Sequence, residues 1–150
     1  MAQQTMSGRN GLAAAAARPA AAPATYTIRV VGAILALAVA VVHVADQGGV
    51  TAFTSPDWLG WSYRLIEAGG VATALVLLVP RPSWPGWAAG LLLGAGPLLG
   101  YLASRTTGVP GDAGDVGNWG DWTGTVSLFL EAALIVLSIS MLLARRRRPV

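Results

Sequence analysis

Residues 26–45 read YTIRVVGAILALAVAVVHVA, twenty positions whose only charged side chain is Arg29 and whose only imidazole is His43. A helix rises 1.5 Å per residue, so such a stretch covers roughly 30 Å, the thickness of a bilayer's hydrocarbon core. A surface helix of a soluble protein would show a polar face; this block is apolar all round, the pattern of a membrane span. A cleaved signal peptide is the rival reading, because Arg29 precedes the apolar run. Against it, the leader is long and His43-Val44-Ala45 makes a poor small-x-small cleavage site.

Three further apolar blocks follow, at about residues 56–79, 86–104 and 125–144. Over the 150 residues, 54% are hydrophobic and 11% charged, whereas a soluble domain carries about a quarter charged residues. The fold class expected is all-α, a four-transmembrane-helix antiparallel bundle. Residues 1–25, rich in Ala, Pro, Gln and Ser and interrupted by Pro19 and Pro23, read as a disordered tail. Residues 145–150 read as a basic tail.

Punctuation between the blocks is clear. Gly48 and Gly49 lie in a short polar connection, and Ser55 reads as an N-cap with Pro56 at the first helical position. Trp58, Trp61 and Tyr63 place the start of the second helix at headgroup level. Residues 80–85 (PRPSWP) make a tight turn. The third helix carries Gly86, Gly90 and Gly94 at intervals of four, then Gly96 and Gly100 around Pro97. Small residues at that spacing predict close helix packing, and Pro97 predicts a kink. Residues 105–124 form a loop rich in Gly, Asp and Trp.

The arginines set the orientation. Arg9, Arg18 and Arg29 stand at or before the start of the first span, Arg81 in the second connection and Arg145 to Arg148 after the last, while only Arg105 lies on the other side. The positive-inside rule puts both termini in the cytoplasm. The chain has no Cys and no Lys; Arg-only cations with abundant Ala and Gly suit a GC-rich bacterial genome, hence a bacterial cell membrane. Its formal charge of +3 owes most to the terminal Arg run. Directly after an apolar helix, such a run anchors at anionic headgroups and does not point to nucleic acid. The partner expected first is the lipid bilayer, with room for a protein partner or a homo-oligomer.

Ionisable groups inside spans are costly and mark sites by default. Glu67 and Glu131 fall roughly 9–13 Å below the outer surface. His43, Asp46, Arg64 and Arg105 lie at similar or shallower levels, and the inner halves of the helices are apolar and Gly-rich. His43 and Asp46, like Arg64 and Glu67, are spaced i, i+3 and share a face; Ser127, Glu131 and Ser138 follow one stripe. The cluster expected is therefore His43, Asp46, Arg64, Glu67, Arg105 and Glu131. Charge balance predicts at least one Arg–Glu contact between helices, Arg105–Glu131 or Arg64–Glu131, with His43 the pH-sensitive member.

Specific chemistries fit poorly. Haem would need a second axial ligand beside His43, and Met141 is at the opposite membrane face. Zinc or copper would have one imidazole and no thiolate. No nucleophile has a GxSxG context, and no strand precedes the helix-three glycines as a nucleotide loop requires. Neither a cofactor, a metal nor a catalytic residue is expected. A transporter would need an oligomer, as no inverted repeat is visible.

Residues 101–110 (YLASRTTGVP), then Gly117-Asn118-Trp119, a helix bearing Glu131, and His43 near the outer end of the first span resemble a group of small actinobacterial multi-pass proteins. The resemblance covers about Arg29 to Leu143. It implies a four-helix membrane protein and brings no activity with it. The segment Glu67-Ala-Gly-Gly70, leading through a Pro/Arg turn into a Gly-rich helix, is loosely similar to DoxX-like four-helix proteins, an architectural analogy. Two functions compete. One is a non-enzymatic membrane subunit or scaffold whose outer polar cluster and loop meet a partner, the ion pairs of the cluster fixing helix register. The other is a small-molecule, proton or quinone site, redox-linked or not, formed by that cluster. A roomy cavity at the glutamates favours the second; fully paired groups favour the first.

Overall fold

The structure is a computed structural model that describes residues 23–80 and 82–146. It is all-helical: α1 Pro23–Asp46, α2 Asp57–Leu78, α3 Trp84–Thr106 and α4 Trp122–Arg146. Consecutive helices pack on one another and α1 closes the ring against α4, with little contact between α1 and α3 across the centre. Three helices, α1, α3 and α4, are long and apolar enough to cross a membrane; α2 is not among them. The charged Arg64 and Glu67 and the polar, aromatic start of α2 dilute its apolar character.

Boundaries depart from expectation where local chemistry competes with hydropathy. Residues 23–25, read as tail, are already helical, since proline is tolerated in a first turn. Residues 1–22, Arg81 and residues 147–150 lie outside the described residues, and with them the expected disorder and part of the basic tail; Arg145 and Arg146 extend α4. Ser55 does not cap α2: the N-cap position is Pro56, no side chain bonds there, and the Ser55–Pro56 peptide is cis. The helix α3 starts at Trp84 and continues through Pro97 to Thr106. The last loop shrinks to residues 107–121.

Small residues let the helices approach. A Cβ added to Gly70 of α2 would stand 2.6 Å from the Ala36 carbonyl oxygen of α1. Gly32 of α1 lies under the Trp87 ring of α3, at 2.6 Å by the same measure. Gly86 meets Leu77 at 2.7 Å, Gly90 meets Ser138 Oγ at 2.8 Å, and Gly94 meets the Glu131 carbonyl oxygen at 2.9 Å. Around these contacts lies a buried core of Ala33, Ala36, Val39, Ala74, Leu77, Trp87, Leu93 and Leu134. Gly96 and Gly100 break the pattern: a Cβ on either would meet nothing within 4 Å. The expected packing role fails for these two, because beyond Gly94 α3 faces a cleft.

One arginine ties the end of the bundle at which α1 begins and α2 ends. Arg29 of α1 donates from Nε to the Leu77 carbonyl at 2.6 Å and from its terminal nitrogen to the Val79 carbonyl. The last carbonyls of a helix have no intrahelical partner, and a guanidinium is well suited to satisfy them. Orientation was the only role the sequence suggested for Arg29.

Candidate functional site

The six expected site residues separate into two groups. Arg64 and Glu67, one turn apart on α2, pair at 2.6 Å. Gln47 Nε2 donates to the other Glu67 oxygen at 2.5 Å, and Arg64 also donates to the Ala52 carbonyl. This group ties the first connection to α2 and pairs the two charges with each other. Neither Arg64 nor Glu67 lines the cleft.

The second group does. A cavity of about 1240 Å³ runs between α2 and α3 and reaches α1, α4 and the last loop. Its inner walls are apolar, among them Ile66, Val76, Ala89 and Leu93. Leu65 and Leu92 stand at its side and are 74% and 73% exposed, so it opens laterally between the two helices. Gly96 and Gly100, with no side chains, create width along the α3 wall.

The polar end of the cleft, beside the last loop, is built from every element. Asp46, in the last turn of α1, accepts from Tyr63 of α2 and from Thr123 Oγ1 of α4, the latter at 2.5 Å. One carboxylate thus joins three helices. Arg105, buried near the end of α3, pairs with Asp115 at 2.5 Å and Asp121 at 3.3 Å, and its guanidinium lies 4.7 Å from the Tyr101 ring centroid. Asp121 accepts from the backbone amides of Thr123 at 3.2 Å and Gly124 at 3.1 Å, which makes it the cap of α4. Burial by itself would push the Asp121 carboxyl up. Hydrogen bonds from Thr123 and Gly124 and the charge of Arg105 outweigh that and hold it below the ordinary aspartate range.

Glu131 is the deepest ionisable group lining the cleft, nine residues into α4 and 1% exposed. Ser127 donates to its Oε1 at 2.5 Å, and His43 Nε2 lies 3.8 Å from the same oxygen. Its Oε2 is buried with no hydrogen-bond partner among the described residues. His43 Nδ1 is 2.9 Å from the Val39 carbonyl oxygen. A carbonyl only accepts, so Nδ1 carries the hydrogen. Nε2 therefore faces Glu131 with a lone pair, unless a proton sits on one of the two.

The expected Arg–Glu contact between helices is not found among the described residues. Arg105 is at the helix end, where Asp115 and Asp121 fold back within reach; Glu131 is deeper and closer to His43. Arg64 turns to Glu67 on its own helix. Asp115, Asp121, Thr123 and Tyr63 are site members the sequence reading did not include. Asp121 is of a residue type favoured at helix N-caps and stands shortly before an apolar block, a signal that could have found it. Compared with family models, with characterised proteins and with solved structures, the chain matches none.

Proposed function

We propose that this protein spans a bacterial cell membrane four times with both termini cytoplasmic, and that it binds a small amphiphilic molecule in the cleft between α2 and α3. The observation that carries the binding reading is the buried, unpartnered Glu131 Oε2 at the wall of a roomy cavity. Uncompensated buried carboxylates are expensive, and they persist where a ligand or proton uses them. Apolar walls with a few convergent polar groups are the composition of a small-molecule site. A scaffold would pair its charges internally. The Arg64–Glu67 and Arg105–Asp115–Asp121 groups do so here, whereas Glu131 has no arginine partner among the described residues.

Two considerations support a fourth span. The charges of α2 are paired on the helix itself, which lowers the cost of carrying them into lipid. Trp61, Leu65, Val71 and Leu75 of α2 are exposed, a surface suited to acyl chains. Kinship with small actinobacterial multi-pass proteins, and the looser DoxX likeness, belong to this proposal; they rest on residues 101–119, His43 and Glu131, and on Glu67 to Gly70.

The test fills the cleft. Gly96→Leu places its side chain where a Cβ meets nothing, and loss of a helical glycine favours the helix by up to about 1 kcal/mol. The parent, purified in mild detergent and weighed by native mass spectrometry, is expected to retain a small-molecule adduct that the Gly96→Leu protein lacks at equal stability. Bare protein in both preparations, or the same adduct on both, would overturn the reading.

A further inference from the structure

The cleft's charge identifies its ligand more narrowly. Five carboxylates line it, Asp46, Asp112, Asp115, Asp121 and Glu131, against the single guanidinium of Arg105 and the imidazole of His43. At the mouth most of these groups are engaged. Arg105 is held by Asp115 and Asp121, and its charge is spent on them. Asp46 takes hydrogen bonds from Tyr63 and Thr123, and Asp112 from the Gly114 amide. Behind α2, Glu67 is neutralised by Arg64. Among the described residues this leaves no cation to balance Glu131 except a proton shared with His43.

We propose that the cleft binds a lipophilic organic cation, whose charge takes the place of the proton that His43 and Glu131 otherwise share. The inference rests on the ligand-site reading above and names the class of ligand. With Nδ1 of His43 donating to Val39, one proton between Nε2 and Glu131 makes the pair neutral overall. When a cation seats beside Oε2, that proton leaves to solvent and the ligand's charge replaces it. No bond to the ligand forms or breaks, and the net charge of the site stays constant. An anion would meet a wall of carboxylates, and attraction between opposite charges is strongest where water is scarce. The lateral opening at Leu65 and Leu92 admits a bulky apolar body from the bilayer, which suits a cation whose charge is shielded by hydrocarbon.

Tetraphenylphosphonium and tetraphenylborate match in shape and differ in sign. Equilibrium dialysis of the full chain in a neutral maltoside detergent is expected to show saturable binding of the phosphonium and none of the borate. Glu131→Gln, close to isosteric, is expected to weaken phosphonium binding at least tenfold. Acidification from about pH 8 to about pH 5 is expected to weaken it in the parent, and phosphonium added at low buffer strength to release protons. Equal binding of the two ions by the parent, or parent-like binding by the variant, would refute the charge selectivity and leave the cleft itself standing. Binding indifferent to pH would refute the exchange with a proton. An adduct seen by mass spectrometry without phosphonium binding would keep the ligand site and discard the cation. If neither ion binds and no adduct is found, both readings fall.

Discussion

Asp121 serves three partners with one carboxylate: the Arg105 guanidinium, the Thr123 hydroxyl, and the first free amides of α4. Its hydrogen bonds hold the folded carboxyl below the value of about 3.9 that an unfolded aspartate has. A group depressed in the fold stabilises it above the unfolded value, and that stabilisation is lost as pH falls through the folded one. Asp121→Ala is therefore expected to cost roughly 1 kcal/mol or more at neutral pH, the usual worth of a helix cap. Thermal unfolding in detergent should show the difference from the parent begin to close near pH 4 and keep closing below it. A gap unchanged by acid would mean that the ionised carboxylate contributes nothing. At this scale the sequence supplied depth and little else. Residue spacing placed His43 and Glu131 near one level, and the structure brings them within 3.8 Å. Spacing does not say which way a helix is rotated against its neighbours, so it could not separate Glu67, outside the cleft, from Glu131, on its wall.

Helix α3 shows how one motif divides into two uses. Its glycines at intervals of four read as a uniform packing stripe. In the fold, Gly86, Gly90 and Gly94 are pressed against α2 and α4, while Gly96 and Gly100 border the cleft. Gly94→Leu would drive a side chain into the Glu131 carbonyl and Ile135, and overpacking of that kind typically costs about 1–3 kcal/mol. Its abundance in membranes and its melting temperature in detergent are expected to fall, in contrast to Gly96→Leu. Parent-like behaviour of Gly94→Leu would mean that α3 and α4 part easily. The helices themselves were legible because long apolar blocks and Pro/Gly turns punctuate the chain. The course of residues 107–121 was not, because an aperiodic loop held by positive-φ glycines at Gly108, Gly111 and Gly117 carries no repeating signal.

For the whole molecule, orientation is the property on which the outer placement of the site depends. Arg29 at the start of α1 and Arg145 and Arg146 at the end of α4 share one end of the bundle; the cluster of aspartates occupies the other. Alkaline phosphatase, which is active only outside the cytoplasm, is expected to be silent when fused after Val150 and active when inserted near Ala113. The reverse pattern would turn the molecule over and move the mouth of the cleft to the cytoplasmic side.

The burial of Trp87 gives the molecule its own optical gauge. Five of the six indoles, those of Trp58, Trp61, Trp84, Trp119 and Trp122, are exposed, whereas Trp87 is enclosed over Gly32 with no hydrogen-bond partner for its ring nitrogen among the described residues. An indole so isolated from polar neighbours emits to the blue of the others, and a brominated acyl chain that darkens lipid-facing rings cannot touch it while α1 and α3 stay together. The residual blue emission is thus a direct reading of whether those two helices hold their distance when the cleft fills.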